Sequence, residues 1–380
     1  MKKISHLFLS AVGLLLLTAC GSSASFTIDY FAFKQKSDGK WGMINAKGEV
    51  LFENEFKNAP TVSINDRFAV QNKKEFYEFY ETDDQPEQIG EGVAYKEVGM
   101  FTGKYAPVQK KDGRIIYLDK KGGVAIDMAK KFPGKKINEV ECFLDDWAKV
   151  QMDGKYGAID LDGKLIVPCK YNDVRENFLV ADRKIFIDEE ANKWYVIDHK
   201  GKTLLTKPLE NMQPRYLVED GLIVVRIDDE EVILDEKGNT KLKLKNKRID
   251  SEIFDGKFVY SEDDSYGMMD VNGKILFKAK YDRIDYNGAI IVAREDDEYF
   301  IVDESGKKKG SGFEDRPMLL SPIFDGYDSF FFVKNDGEYS LLDDEGKEVT
   351  IDVDLKEVEM SGRSSIYIWE NNYDDYDEYK

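Results

Sequence analysis

The stretch that decides the fold of this chain is Tyr156-Gly157-Ala158-Ile159-Asp160-Leu161-Asp162-Gly163. It joins an aromatic-led apolar strand to Asp, two variable residues and Gly, and the same eight-residue pattern returns eight more times. The other copies open at Trp41, Phe76, Ile115, Trp194, Glu231, Tyr266, Tyr299 and Tyr339. Consecutive openings lie 33 to 41 residues apart, and each copy reaches Gly seven residues later, except the second, which has Asp83. A period of this length is typical of repeat architectures, in which no unit buries its apolar face alone.

Each copy is surrounded by short aromatic and β-branched runs that are separated by Asp, Asn and Gly, a pattern typical of strands and turns. Within residues 171–205, for example, we predict strands over 171–175, 177–181, 194–197 and 203–205. No segment has the apolar periodicity of a long amphipathic helix. The sequence therefore predicts an all-β protein whose meander units of three to four strands form a propeller-like toroid, or alternatively an open, curved β-solenoid.

The two ends of the repeat region bear on closure of the array. The nine repeats are expected over residues 30–360, and the chain enters them midway through a unit, near residues 26–33. An additional apolar run at residues 364–369 is expected either to close a ring or to cap an open edge. The acidic, tyrosine-rich end of the 361–380 segment is expected to be disordered or to clip onto a basic groove.

The Asp and Gly of the repeat are predicted to be turn residues. A short Asp side chain can accept hydrogen bonds from the turn that follows it, and Gly adopts the left-handed conformation without a Cβ penalty. The Asp position is filled by Asn45, Asp119, Asp160, Asp198, Asp235, Asp270, Asp303 and Asp343. None of these residues completes the D-x-[DN]-x-[DN]-G calcium loop, so turn stabilisation is favoured over a ring of calcium ligands.

Three copies keep an aromatic-Gly pair, which predicts a close approach of another backbone segment. Their structural residues are Trp41, Gly42 and Gly48; Tyr156, Gly157 and Gly163; and Tyr266, Gly267 and Gly273. The rings are expected to pack in the core, or alternatively to serve as sugar-stacking platforms. These pairs, with the Asp/Asn-x-x-Gly that follows, resemble the bacterial WG-repeat family. The resemblance implies a structural repeat of exported and surface-associated proteins and supplies no catalytic residue.

The N-terminus resembles an export signal. Lys2 and Lys3 precede an uncharged apolar stretch over residues 4–19, which is too short for an ordinary membrane span. Leu17-Thr18-Ala19-Cys20 resembles the bacterial lipobox, which implies cleavage before Cys20 and acylation of its thiol; the alternative is an ordinary secretory signal. Residues 20–29 are then a flexible tether, and the protein is expected to be lipid-anchored in the cell envelope, at the outer membrane if the organism has one.

Net charge limits the possible partners. Removal of residues 1–19 takes away Lys2 and Lys3, so the formal charge of −19 becomes −21. This sign disfavours binding to nucleic acid and to anionic headgroups.

The two remaining thiols, Cys142 and Cys169, either form a disulfide in an oxidising compartment or are two isolated small hydrophobes, and the sequence leaves both alternatives open.

Acidic residues cluster in the turn before the repeat pattern in the later units. Ten of them are candidate partner-binding residues: Asp228, Asp229, Glu230, Glu262, Asp263, Asp264, Glu295, Asp296, Asp297 and Glu298. The turn within the pattern is richer in Lys, so units in register would have one negative end and one mixed end. The acidic end is expected to be either a solvated surface or a docking face for a basic partner or divalent cations.

Catalysis is not expected. The only histidine after residue 19 is His199, which stands in a repeat turn without a nucleophile motif nearby, and no zinc-ligand cluster or phosphate loop is present. The sequence therefore predicts a non-catalytic exported lipoprotein, without cofactor or metal, that serves as an interaction platform for an envelope protein. The alternatives are a glycan- or calcium-binding envelope protein and, less favoured, a two-carboxylate glycan-active enzyme.

Overall fold

The computed structural model describes residues 26–35, 39–90, 92–175, 177, 179–205, 209–210, 212–335 and 337–359. In these residues, one short helix, α1 (Met128–Lys131), and a 3-10 turn at Glu219–Gly221 interrupt an otherwise all-β structure. The strands, in chain order, are β1 (Ile28–Gln35), β2 (Trp41–Ile44), β3 (Val50–Phe56), β4 (Ser63–Ile64), β5 (Arg67–Gln71), β6 (Tyr77–Glu81), β7 (Glu97–Val98), β8 (Tyr105–Gln109), β9 (Ile115–Asp119), β10 (Val124–Asp127), β11 (Ile137–Val140), β12 (Trp147–Met152), β13 (Lys155–Asp160), β14 (Leu165–Tyr171), β15 (Asp173–Arg175), β16 (Arg183–Asp188), β17 (Lys193–Asp198), β18 (Leu209–Glu210), β19 (Gln213–Leu217), β20 (Ile223–Ile227), β21 (Glu230–Leu234), β22 (Thr240–Leu244), β23 (Arg248–Ile249), β24 (Lys257–Glu262), β25 (Ser265–Asp270), β26 (Ile275–Tyr281), β27 (Arg283–Tyr286), β28 (Ile291–Glu295), β29 (Glu298–Val302), β30 (Lys308–Phe313), β31 (Met318–Leu319), β32 (Phe330–Asn335), β33 (Glu338–Asp343) and β34 (Leu355–Glu359).

These strands form nine antiparallel blades, each centred on one copy of the repeat. Blades three to eight are separate four-stranded meanders, β7–β10, β11–β14, β15–β18, β19–β22, β23–β26 and β27–β30. Blade two (β4–β6) and blade nine (β31–β33) have three named strands each in the described residues, and both join blade one in a single larger sheet. The repeat pattern supplies the third strand of every blade. The protein is a propeller-like β structure, as the sequence predicts.

The ends of the chain meet in blade one. Strand β34 pairs antiparallel with β1, with Phe33 opposite Val358, and so supplies the first strand of a blade whose other strands are β1, β2 and β3. The backbone N–H of Ile28 also donates to the carbonyl of Ile323 in blade nine over 2.6 Å. A C-terminal strand that completes the N-terminal blade closes the array and removes the edges that an open array would leave.

The aromatic-Gly pairs are explained by a bulge in the fourth strand. Tyr156 pairs with Tyr171 and Ala158 with Val167. A step of two residues along β13 therefore corresponds to a step of four residues along β14. The β14 backbone therefore crosses directly over Gly157, where a Cβ would lie 2.5 Å from the Val167 carbonyl oxygen. Gly42 and Gly267 are crossed in the same way by β3 and β26. The close backbone approach predicted from these pairs is confirmed.

The core lies between blades as well as within them. Second and third strands are the most buried, and apolar clusters extend from one blade to the next: Val259 and Phe277 of blade seven pack with Ile284 and Ile291 of blade eight. Side chains in the loops between first and second strands, or at the start of the second strand, also donate to the neighbouring blade. Examples are Thr102 Oγ1 to the Phe143 carbonyl (2.6 Å) and Trp147 Nε1 to the Ala181 carbonyl (2.8 Å).

Some sequence-based boundaries were wrong. Residues 179–181 belong to a loop, and the missed strand of blade five is β16. The expected tether over 20–29 ends earlier, because Phe26 and Ile28 are 5% and 4% exposed. The strand that closes the ring is β34, within the expected repeat region. The expected signal peptide, Cys20 and the run at 364–369 lie outside the described residues.

Candidate functional site

Alternating strand directions give the ring two different ends. Turns between second and third strands lie at what we call the hairpin end. The opposite, Asp-Gly end has the Asp-x-x-Gly turns together with the loops between first and second strands. Backbone hydrogen bonds connect these two kinds of segment: the His199 N–H of one such turn donates to the Asp182 carbonyl of the loop in the same blade, over 2.9 Å.

At the hairpin end, blades six, seven and eight have an Asp-Asp pair at the tip. In each of these blades two residues connect paired strand ends, and both have positive φ: 48° and 63° for Asp228 and Asp229, 49° and 60° for Asp263 and Asp264, 52° and 67° for Asp296 and Asp297. This is the geometry of a type I′ hairpin, which favours Asn-Gly or Asp-Gly. All six aspartates are exposed, as is Glu298. The structure therefore brings seven of the ten predicted residues to the surface of three consecutive blades.

The other three predicted residues are engaged within their own blades. Glu230, Glu262 and Glu295 are half-buried, and each forms an ion pair with a lysine of the same blade: Lys243, Lys247 and Lys308, respectively. Asp297 also pairs with Arg294. The surface charge of this region is therefore concentrated at the aspartate tips, and we call Asp228, Asp229, Asp263, Asp264, Asp296 and Asp297 the acidic tips.

The Asp-Gly end is organised by the repeat aspartates. Asp160 Oδ1 accepts hydrogen bonds from the backbone N–H groups of Asp162 (3.0 Å) and Lys164 (2.8 Å). The same pair of bonds recurs at Asn45, Asp119, Asp198, Asp235, Asp270, Asp303 and Asp343. Gly48, Gly163 and Gly273 have φ of 84°, 71° and 83°. The turn role predicted for these aspartates is confirmed.

The aromatic residues that open the repeat lie at the hairpin end of each third strand. Trp41, Tyr156, Trp194 and Tyr266 are half-buried rather than fully enclosed. Lysine ammonium groups lie over several rings, such as Lys34 Nζ at 5.5 Å from the Trp41 ring centroid and Lys149 Nζ at 5.4 Å from that of Tyr156. These rings pack at the margin of the core and keep part of their surface in solvent.

Blade six departs from this pattern because its repeat opens with Glu231. The side chain is 1% exposed, and Oε1 accepts from Arg215 Nη1 (2.8 Å) and Arg226 Nη2 (3.0 Å). Glu231 Oε2 and Arg226 Nε are buried without a hydrogen-bond partner in the described part of the chain. The sequence analysis did not predict this buried charge cluster. The presence of Glu at the position where most repeats have an aromatic residue could have indicated it.

Two grooves occur beside the hairpin ends of adjacent blades. One, of about 310 Å³, lies between blades five and six and is lined by residues that include Trp194, Arg226 and Asp228. The other, of about 510 Å³, lies between blades one and two and is lined by residues that include Glu55, Lys73 and Tyr80. The first groove joins one of the acidic tips to a half-buried aromatic ring.

The two cysteines in the described residues, Cys142 and Cys169, do not form a disulfide. Cys142 is buried in the loop before β12, whereas Cys169 is partly exposed in the bulge of β14. They belong to different apolar clusters. The structure therefore has the two isolated thiols, one of the alternatives that the sequence left open.

Groups associated with catalysis or metal binding are sparse in this surface. His199 lies in the Asp-Gly turn of blade five, and its Nδ1 atom is buried without a hydrogen-bond partner among the described residues. Within the described ranges, no three His, Cys, Asp or Glu side chains come together as a metal site. No helix in the same part of the chain is long and apolar enough to span a bilayer.

Comparisons with known proteins agree with the repeat and the fold. A crystal structure of the eukaryotic initiation factor is similar with a TM-score of 0.56 at 12% sequence identity, over 87% of this chain and 97% of that one. BamB from Moraxella catarrhalis aligns with a TM-score of 0.41 at 13% identity, over 76% of this chain and 92% of that one. No curated protein matches the sequence. The family model described as WG containing repeat matches residues 156–178 and 266–299, so segments similar to this repeat extend from blade four into blade five and from blade seven into blade eight.

Proposed function

We propose that this protein is a non-catalytic interaction platform, anchored through Cys20 in the cell envelope, whose acidic tips dock a basic protein partner. The observation that carries the proposal is the set of six exposed aspartates at positive φ in three consecutive hairpins. A propeller-like ring supports this role, since it presents equivalent turns of adjacent blades at one end.

The backbone conformation of the tips is an argument for function. The same turn in blade four is Asp153-Gly154, with φ of 52° and 78°, so the fold accepts the low-strain Asp-Gly form. Blades six to eight instead have Asp at the second position, where a side chain makes the left-handed conformation less favourable. Residues held in sparsely populated backbone regions cluster at binding and active sites. The second aspartate of each tip adds charge at the expense of local stability.

Charge distribution favours a basic partner. Neighbouring Glu230, Glu262 and Glu295 are neutralised by lysines and Asp297 by Arg294, whereas the other five tip aspartates are exposed beyond these ion pairs. A cluster of like charges on an exposed rim accelerates encounter with an oppositely charged surface and loses this effect as salt increases. Binding should therefore weaken between about 50 and 300 mM salt.

The test is in-cell crosslinking of the full, C-terminally tagged chain, followed by mass spectrometry. The tip variant carries Asp263→Asn, Asp264→Asn and Asp296→Asn, because Asn also tolerates the left-handed region. The matched control carries Asp162→Asn, Asp344→Asn and Glu345→Gln, which remove the same charge from exposed positions at the Asp-Gly end. We expect a stoichiometric envelope protein with the native chain and the control, and its loss with the tip variant. Equal loss in both variants, or no partner with the native chain, would contradict the proposal.

A further inference from the structure

The groove between blades five and six combines the Asp228-Asp229 tip with chemical groups that the platform role does not use. Its walls come from the third strand of blade five, which contributes Trp194, and from the first and second strands of blade six, which contribute Gln213 and Arg226. Its volume of about 310 Å³ is at the lower end of the range for small-ligand sites.

Trp194 provides a flat apolar wall. Its ring packs against a cluster that includes Val196, Leu209 and Val225, which fixes its position, and it is only half-buried. The strand pairing of Trp194 with Leu209 holds this residue beside the fourth strand of its blade. A rigid indole of this kind offers a large surface for the apolar face of a ring-shaped ligand at little entropic cost.

Arg226 is held in place by a buried carboxylate. Glu231 Oε1 accepts from its Nη2 atom over 3.0 Å and from Arg215 over 2.8 Å, so the guanidinium is positioned before any ligand binds and shares one carboxylate with a second arginine. Arg226 Nε and Glu231 Oε2 have no hydrogen-bond partner in the described part of the chain. Buried polar atoms in native proteins are nearly always satisfied by protein, water or ligand.

The rim has acceptors and donors together. Asp228 and Asp229 supply carboxylate oxygens, and the amide of Gln213 supplies both kinds of group. A hydroxyl also donates and accepts, so a polyhydroxylated ring matches this mixture. A lysine ammonium only donates and would leave the Arg226 and amide N–H groups without acceptors. An anionic sugar would be repelled by the two aspartates.

We propose that this groove binds a neutral pyranose residue of a glycan, with the sugar ring stacked on Trp194 and its hydroxyls bonded to Arg226, Gln213 and Asp228. The site is independent of partner docking at the acidic tips of blades seven and eight. It gives the protein a second, carbohydrate-binding activity at the same end of the ring.

The test is calorimetric titration of the unacylated full chain with chitotetraose, cellotetraose and maltotetraose, with trigalacturonate and tetralysine as charged probes. We expect at least one neutral tetrasaccharide to bind with a Kd of about 1 mM or tighter. Trp194→Ala should weaken binding at least tenfold, whereas Trp194→Phe keeps a flat ring and should retain most of it. Gln213→Ala, an exposed change, should weaken binding severalfold even if Trp194→Ala fails to fold. Tyr156→Ala alters the equivalent ring of blade four, outside the groove, and should have no effect.

Several results would overturn the proposal. These are no binding of any neutral probe, equal effects of Trp194→Ala and Tyr156→Ala, or binding of tetralysine alone, which would assign the groove to a cationic segment. Because Asp263, Asp264 and Asp296 do not line the groove, the variant that tests partner docking should bind the sugar normally. The two proposals can therefore fail separately.

Discussion

At the scale of single residues, Cys169 illustrates how the repeat shapes side-chain chemistry. It lies in the bulge of β14, and its sulfur is within 2.8 Å of the position that a Cβ on Gly157 would occupy. Burial raises the pKa of the Cys169 thiol to about 11, although a backbone hydrogen bond and Lys135 partly oppose the shift. Cys142 is held elsewhere, where its sulfur accepts a hydrogen bond from the Met100 N–H over 3.3 Å.

We predict that the native protein has two slowly reacting thiols at these positions. With a pKa of about 11, the thiolate fraction of Cys169 at pH 8 falls about 250-fold below that of an ordinary cysteine, while its higher basicity restores roughly tenfold in nucleophilicity. Alkylation by iodoacetamide, followed by peptide mass spectrometry, should therefore be about twentyfold slower than in the denatured chain. Its rate should keep rising from pH 9 to pH 11. A plateau near pH 9, or a Cys142–Cys169 bridge under non-reducing conditions, would contradict this prediction.

Individual residues also show what the sequence could reveal. The Asp and Gly of each repeat were predictable, because their hydrogen bonds and φ values are set by neighbours within four residues. Burial of Glu231 was not, because it depends on Arg215 and Arg226, which lie on two other strands. The sequence also could not predict that Asp264 is exposed whereas Glu262 is ion-paired, because the alternation of residues along a strand does not show where Lys247 lies.

At the scale of elements, the loops between first and second strands connect the blades. Asn287 of blade eight is 6% exposed and satisfies its whole amide: Nδ2 donates to the carbonyls of Leu320 (2.9 Å) and Tyr327 (3.2 Å) in the loop of blade nine. Its Oδ1 accepts from the backbone N–H groups of Ala289 and Ile290. One side chain thus shapes its own loop and joins it to the next.

We predict that Asn287→Ala lowers the free energy of unfolding by about 2 to 4 kcal/mol, because it leaves buried carbonyl and N–H groups without partners. Asn287→Asp should be nearly as harmful, since a carboxylate cannot donate to the two carbonyls. The control is Asn272→Ala, an exposed turn change that should cost less than about 0.5 kcal/mol. Urea unfolding followed by circular dichroism measures all three. Similar midpoints for Asn287→Ala and Asn272→Ala would show that these loops contribute little to blade association.

These loops also explain the error in blade five. Val180 and Ala181 are 1% and 0% exposed, so an apolar run that resembles a strand is a loop buried against its neighbours. The true strand, β16, contains Lys184, which is 1% exposed with its ammonium 5.1 Å from the centroid of the Trp147 ring. A charged residue inside a strand hides the alternation on which sequence-based assignment relies.

At the scale of the whole molecule, closure was the feature that the repeat could not decide. Nine equivalent units permit either a ring or an open array. Strand β34 does not contain the repeat pattern, so the sequence does not predict which blade it joins. Its partner β1 lies at the other end of the chain, and the pairing is reinforced by the buried Leu355 and by an ion pair of Lys34 with Glu357. This long-range pairing, together with the hydrogen bond from the Ile28 N–H to the Ile323 carbonyl, distinguishes the ring from the solenoid.

We therefore predict a sharp difference between two truncations. A chain ending at Asp354 loses β34, which exposes the β1 edge and removes the core contacts of buried Leu355 and partly buried Val358. It should lose about 3 to 6 kcal/mol of stability and tend to dimerise through that edge. A chain ending at Met360 retains β34 and should melt like the full chain. Thermal melts and light scattering measure both properties, and a synthetic peptide spanning residues 355–360 should partly restore the shorter chain. In an open array, β34 would be a terminal strand whose removal leaves the other blades intact. Equal melting temperatures and monomeric behaviour of both truncations would therefore contradict closure through β1.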